Sequence, residues 1–254
     1  MSRKCFFVDR VEPGQDFVVL DECCAHHTET VLRLKSGDPV ELRDGCGNAW
    51  QGEIAQTGGG TVRVRLCERR DIEVESRLEL TLAMALARQD RMDLVVRQAT
   101  ELGVSRLVAF RAERSQYGLS GRQAEKRLGR WIKIAQGALC QCCRTKLPEV
   151  IYLSGVPELL AQAGLWQEGT GGLLKVLARE EERQQNLMGL WRQLPDSRRI
   201  LAVVGPEGGW TGAEENRFVG AGFHSIHLGP RILRLETAAV TLVSLAQLLW
   251  GDFS

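Results

Sequence analysis

Two segments near the carboxyl end of the chain combine glycine with charge in a pattern that suggests chemistry. The first is Gly205-Pro206-Glu207-Gly208-Gly209, directly after the apolar run Ile200-Leu201-Ala202-Val203-Val204. That run reads as a buried strand. Thr211 and Glu214 stand at capping-box spacing, so a helix begins there. Strand, tight glycine loop and helix start together let backbone amides approach a ligand closely. In open α/β sheets such ligands lie at the carboxyl ends of strands. A plain tight turn has the same pattern, so this segment alone leaves both readings open. The Lys-Ser/Thr of a phosphate-binding loop and a G-x-G-x-x-G run are both missing, which argues against an enzyme that grips a nucleotide phosphate.

The second segment repeats the arrangement. Ser225-Ile226-His227-Leu228 reads as a strand and Gly229-Pro230-Arg231 as a turn. Ile232 to Ala239 then leads into an apolar helix. Two such units can flank one ligand. Arg231, Arg234 and Glu236 are charges at the threshold of that helix. Glu236 also suits the helix dipole, so a capping role stays open beside a chemical one. His224 and His227 lack ligand-like partners and read as structural.

Other elements must position these loops. The first 70 residues read as short strands at 5–8, 17–20, 40–43, 50–55 and 61–67, around a helix over 25–34. Pro13-Gly14, Asp44-Gly45 and Gly58-Gly59-Gly60 mark the turns. Val62, Val64 and Leu66 alternate with Arg63 and Arg65, the period of a half-buried strand. This pattern suggests a small β-barrel. After Asp71, strands at 78–86, 106–110, 150–153, 173–178, 200–205 and 225–228 alternate with helices, including 89–102, 122–142 and 236–250. That alternation implies a parallel α/β sheet. The boundary falls near 71–76, and Gly169-Thr170-Gly171-Gly172 reads as a loop.

The 254 residues are 44% hydrophobic and 26% charged, ordinary for a globular protein. No run approaches the roughly 20 apolar residues of a membrane span, and the first residues do not resemble a signal peptide. A cytoplasmic enzyme is expected, with no metal. The eight cysteines include one C-x-x-C, at 140–143, without a second pair at matching spacing, so they read as incidental thiols rather than a zinc or redox site. Net charge is +1 but uneven. Residues 1–75 carry 10 Lys/Arg against 14 Asp/Glu, residues 76–146 carry 14 against 6, and residues 147–254 carry 9 against 12. A basic middle suits contact with phosphates; a solvated helix face over 122–133 accounts for it equally well.

Taken jointly, Gly205–Gly209 and Leu228-Gly229-Pro230-Arg231-Ile232-Leu233-Arg234-Leu235-Glu236-Thr237-Ala238 resemble the signature of the RsmE family, the 16S ribosomal RNA uracil-N3 methyltransferases of the SPOUT superfamily. Ala99-Thr100-Glu101-Leu102-Gly103-Val104, Glu113-Arg114-Ser115, Trp131 to Val150 and His27 to Asp38 are similar to further family motifs, in order along nearly the whole chain. Gln98 stands where the family usually has Lys, and Cys140 where it has Glu.

The resemblance implies a PUA-like β-barrel over 1–72 and a SPOUT methyltransferase domain over 73–254, a parallel α/β sheet with a C-terminal trefoil knot. It implies S-adenosylmethionine as methyl donor, 16S rRNA of the small subunit as partner, and a homodimer. Carried over residue by residue, the cofactor site is Leu177, Val204, Gly205, Pro206, Glu207, Gly208, Leu228, Gly229, Ile232 and Leu233. Arg234 or Arg114 stabilises negative charge on the uracil, since arginine is a poor proton acceptor. Glu236 either orients that arginine or accepts the N3 proton. Arg3, His27 and Arg33 are the candidate RNA contacts. The alternative is a non-catalytic RNA-binding or assembly module with the same fold, against which the intact segment 229–236 argues.

Overall fold

In a computed structural model, which describes residues 4–168 and 172–253, the chain divides into two compact units. One comprises Met1–Glu75 with Ala135–Leu147, the other Ser76–Ile134 with Pro148–Ser254. Arg3 and Gly169-Thr170-Gly171 lie outside the described residues.

The first unit is built on five strands, β1 (Cys5–Phe7), β2 (Phe17–Val19), β3 (Pro39–Arg43), β4 (Ala49–Gly58) and β5 (Thr61–Arg70), in the order β1-β3-β4-β5-β2. Only β1 and β3 pair in parallel. The alternation read in β5 is realised: Val62 and Val64 are buried while Arg63 and Arg65 are exposed. They join Phe6, Val18, Leu42 and Ile54 in one core, around which the small sheet curls.

The helix begins earlier than the pattern suggested. Asp21 caps α1 (Glu22–His26) by accepting the Cys24 amide at 2.7 Å, and the helix continues as a π-helical turn over His27–Val31. A polar cap, rather than the first apolar residue, sets this start.

The segment 135–147 belongs with this unit through Glu75. Its carboxylate accepts Arg144 Nε (3.0 Å) and Nη2 (2.8 Å) and the amides of Thr145 (2.7 Å) and Lys146 (2.9 Å). Burial alone pushes the Glu75 carboxyl up. The Arg144 hydrogen bonds and charge, with the two amides, outweigh that and hold it below the usual carboxylate range.

The second unit has six strands, all parallel: β6 (Glu79–Ala85), β7 (Arg106–Phe110), β8 (Glu149–Leu153), β9 (Leu174–Ala178), β10 (Arg199–Val204) and β11 (His224–Ile226), in the order β11-β9-β10-β6-β7-β8. Leu80 to Ala85 and Ile200 to Val204 are buried throughout, as a sheet covered on both faces requires. The helices are α2 (Gln89–Glu101), α3 (Gly121–Cys142), α4 (Val156–Gln167), α5 (Leu187–Gln193), α6 (Gly212–Gly220) and α7 (Leu235–Trp250). On α2, Met92, Val95, Val96 and Ala99 form one buried stripe. The last helix, α7, packs on α2, α5, β6 and β10. Its buried Gln247 accepts from Ser76 Oγ (2.8 Å) and donates to the Leu102 carbonyl (2.9 Å). Among the described residues no helix is long and apolar enough to cross a membrane.

Candidate active site

The loop after β10 is shaped by an aromatic platform. Trp210 stacks on Phe110 at 6.2 Å and meets Phe218 edge-on at 5.0 Å, and its Nε1 donates to the Ala178 carbonyl at 3.1 Å. The indole lies directly under Gly205, where a Cβ would stand 2.7 Å from the ring. That close approach, not flexibility, demands glycine. The capping box read from Thr211 and Glu214 is formed, and buried Glu214 also accepts the Glu113 amide at 2.8 Å. One carboxylate therefore starts α6 and fixes the loop carrying Arg114. Arg114 Nη1 in turn donates to the carbonyls of Gly208 (3.1 Å) and Trp210 (3.2 Å).

The loop after β11 turns at Gly229, whose φ of +105° favours glycine. Its amide donates to His227 Nδ1 at 3.1 Å, a structural use of that histidine. Ile232 is 82% exposed.

Between these loops and residues 178–181 lies a pocket of about 660 Å³, at the carboxyl ends of β9, β10 and β11. Its volume is that of a site for a small organic ligand. Val204, Gly205, Pro206, Glu207, Gly208, Leu228, Gly229, Ile232 and Leu233 line it. Leu177 does not: its side chain is fully buried in β9, and Ala178, the next residue, faces the space instead. Arg114 and Arg234 line the pocket too. Glu236 is not in the lining; it follows the lining Leu235, with Oε2 buried and lacking a hydrogen-bond partner.

Arg231 is marked by its place in the turn after Gly229; no local sequence signal marks Arg91, Arg179, Glu180, Glu181 or Glu215. Arg91, from the first turn of α2, pairs with Glu207 and stands 3.9 Å, Nε to Oε2, from Glu236. Arg179 pairs with Glu215 at 2.6 Å. Glu180, Glu181 and Arg231 complete the lining, and none of the three has an ion-pair partner among the described residues. Unpaired charges of both signs around one cavity suit a ligand that carries both signs itself. The Arg91–Glu207 pair is invisible at short range, because the two residues lie 116 positions apart.

The remaining candidates lie elsewhere. His27 and Arg33 are exposed in the first unit, Arg33 with a left-handed φ of 51°. Gln98 is half-buried on α2. Cys140 is buried, and contact with the Cys5 thiol together with burial pushes its own thiol up. Burial and neighbouring Asp21 push the Cys24 thiol up to about 12. Such thiols are poor nucleophiles at neutral pH. None of the eight cysteines forms a disulfide, and among the described residues no group of three or more His, Cys, Asp or Glu is arranged to hold a metal ion.

The larger unit matches a family of RNA methyltransferase domains, and the smaller unit matches their PUA domain. The profile described as RNA methyltransferase domain matches residues 74–247, and the RNA methyltransferase PUA domain matches residues 25–67. Ribosomal RNA small subunit methyltransferase E of Bacillus subtilis is 30% identical over 251 residues, 96% of this chain and 95% of that protein. The Mycobacterium tuberculosis protein of the same name is 29% identical over 94% of this chain and 89% of its own. The chain belongs to the ribosomal RNA small subunit methyltransferase E family. Among solved structures, the Neisseria gonorrhoeae member bound to S-adenosyl methionine superposes with a TM-score of 0.85 at 30% identity, covering 99% of this chain and 100% of that one. A Legionella pneumophila protein in complex with the bound cofactor SAM superposes with a TM-score of 0.88 at 28% identity, covering 100% of both chains.

Proposed function

We propose that this protein transfers the methyl group of S-adenosylmethionine to N3 of one uridine in the 16S rRNA of the small ribosomal subunit. The pocket between the two glycine loops carries this reading, and the S-adenosylmethionine-bound relative supports it. The pocket fits the donor: Gly205 and Gly208 let the loop close on Trp210 and Arg114, and the mixed charges suit a molecule with sulfonium, ammonium and carboxylate groups. When bound, S-adenosylmethionine supplies an electrophilic methyl group.

The chain's own residues do the rest. Uracil N3 carries a proton at neutral pH, so the site must favour the anion. Arg234, exposed at the rim, and Arg114, anchored at Gly208 and Trp210, are donors for the negative charge on the uracil carbonyl oxygens. Glu236 either orients an arginine or accepts the N3 proton; its Oε2 stands 3.9 Å from Arg91 Nε. Arg3, His27 and Arg33 contact RNA. In this reading the loops after β10 and β11 belong to a trefoil knot, and the protein works in the cytoplasm as a homodimer. Ile232, 82% exposed at the pocket, supports a second copy covering this face.

The test is incubation with labelled S-adenosylmethionine and undermethylated small subunits, followed by nucleoside mass spectrometry. The expected product is 3-methyluridine in 16S rRNA. Absence of label with folded, donor-bound protein defeats the reading.

A further inference from the structure

The first half of α3 has no part in the pocket, yet it carries a feature that folding does not require. Trp131 is buried and Leu128 and Ile132 are half-buried, so they form its inner side. Arg122, Lys126, Arg130 and Lys133 are exposed. Spacings of four, four and three residues place all four cations on one face. The face runs about 16 Å along the axis, at 1.5 Å per residue.

The carboxylates nearby do little to neutralise it. Asp93 of α2 pairs with Arg130 at 2.7 Å. Glu125 lies about 60° from Arg122 and roughly 80° or more from Lys126 and Lys133 at 100° per residue, and it forms no ion pair with any of the three. Arg122, Lys126 and Lys133 have no carboxylate within 4 Å among the described residues. Arg97, one turn along α2 from Asp93, is exposed and likewise lacks an ion pair among the described residues. Like charges at helical spacing destabilise an isolated helix. A face serving only solubility usually mixes signs.

Gly129 sits between Lys126 and Arg130, exposed, with nothing within 4 Å of where its Cβ would be. Glycine inside a helix weakens it relative to alanine, and no neighbour in this chain explains the small residue. It lowers the face at its middle, so a strand of phosphates can approach the helix backbone closely.

We propose that Arg122, Lys126, Gly129, Arg130 and Lys133 form a docking surface for the phosphate backbone of RNA, which grips the substrate away from the reacting nucleotide. This rests on the reading that the substrate is RNA.

The test replaces the three unpaired cations together, Arg122→Gln, Lys126→Gln and Lys133→Gln, and leaves Arg130 with Asp93. Affinity for a naked 16S rRNA fragment is measured against salt, with methyl transfer and S-adenosylmethionine binding measured in parallel. The variant should keep donor affinity and kcat while its RNA KM rises about tenfold. The slope of log affinity on log salt should become shallower by about 2 to 3, close to one for each phosphate no longer neutralised. An unchanged RNA affinity and slope overturns the proposal. So does a defect confined to whole subunits, which assigns the face to an acidic protein partner instead. Wild-type protein that methylates no RNA defeats the functional reading; normal wild-type transfer with an unaltered variant defeats this inference alone.

Discussion

Arg91 and Glu207 form an ion pair that ties α2 to the glycine loop after β10, and the same guanidinium stands 3.9 Å from Glu236 at the start of α7. One side chain thus references both pocket loops to a helix packed in the core. Its own exposure is 24%, and that of Glu236 is 14%, so solvent screens this group only in part.

Replacing Arg91 by Gln keeps the stem but removes the charge. Glu207 and Glu236 then lose their common partner and the loops lose their shared reference. The expected result is a fall in kcat/KM of about tenfold, near 1.4 kcal/mol, with the far-ultraviolet spectrum unchanged. Activity equal to wild type would show that the pair is incidental.

Gly205→Ala puts a methyl group 2.7 Å from the Trp210 indole. The platform under the loop must shift, at a cost of about 2 kcal/mol. Tm should fall by several degrees, and donor affinity should fall with it. Adding Trp210→Leu should restore part of the affinity, because it removes the clashing ring. Weakened donor binding without that rescue would place the cause elsewhere.

Much of this arrangement is legible in the chain itself. The run Ile200 to Val204 could only be a buried strand, and Thr211 with Glu214 announces the helix that follows. Alternation from Val62 to Leu66 gives β5 its inner face. These signals are local, set by side-chain period and capping. What stays hidden depends on distant pairs. Arg91 finds Glu207 across 116 positions, and Glu75 finds Arg144 across 69. The second pair draws 135–147 into the first unit, where a change of pattern near 72 suggests a single boundary. Leu177 and Ala178 show the same limit at one-residue scale, since only the orientation of β9 decides which of the two faces the pocket.

The Glu75 cluster predicts a pH dependence. Its carboxyl is held below the usual range in the folded protein, so the unfolded chain binds the proton more readily. The stabilisation is therefore complete above the ordinary glutamate pKa and is lost as pH falls through the lowered folded value. Glu75→Gln should cost about 3 kcal/mol at pH 7, because buried Arg144 loses this carboxylate. The difference from wild type should shrink in acid. Parallel stability curves for the two proteins from pH 7 to pH 3 would refute this role for Glu75.

Two of the three proposed catalytic groups, Arg234 and Glu236, should separate binding from turnover. Arg234→Ala and Glu236→Gln each leave the glycine loops in place. Donor affinity should stay within a few-fold of wild type while kcat falls about 100-fold or more. Undiminished kcat in both variants would remove them from the mechanism.

In the proposed function the space between the two glycine loops holds the methyl donor, and every other step depends on it. Calorimetric titration with S-adenosylmethionine tests this most directly, comparing wild type with Gly229→Val. Gly229 has a φ of +105° and open space around it, so valine strains the loop without crowding the core. One donor should bind per wild-type chain, and binding should be at least tenfold weaker in a variant that is still folded. Equal binding by both proteins, or no binding by wild type, would contradict this placement of the donor.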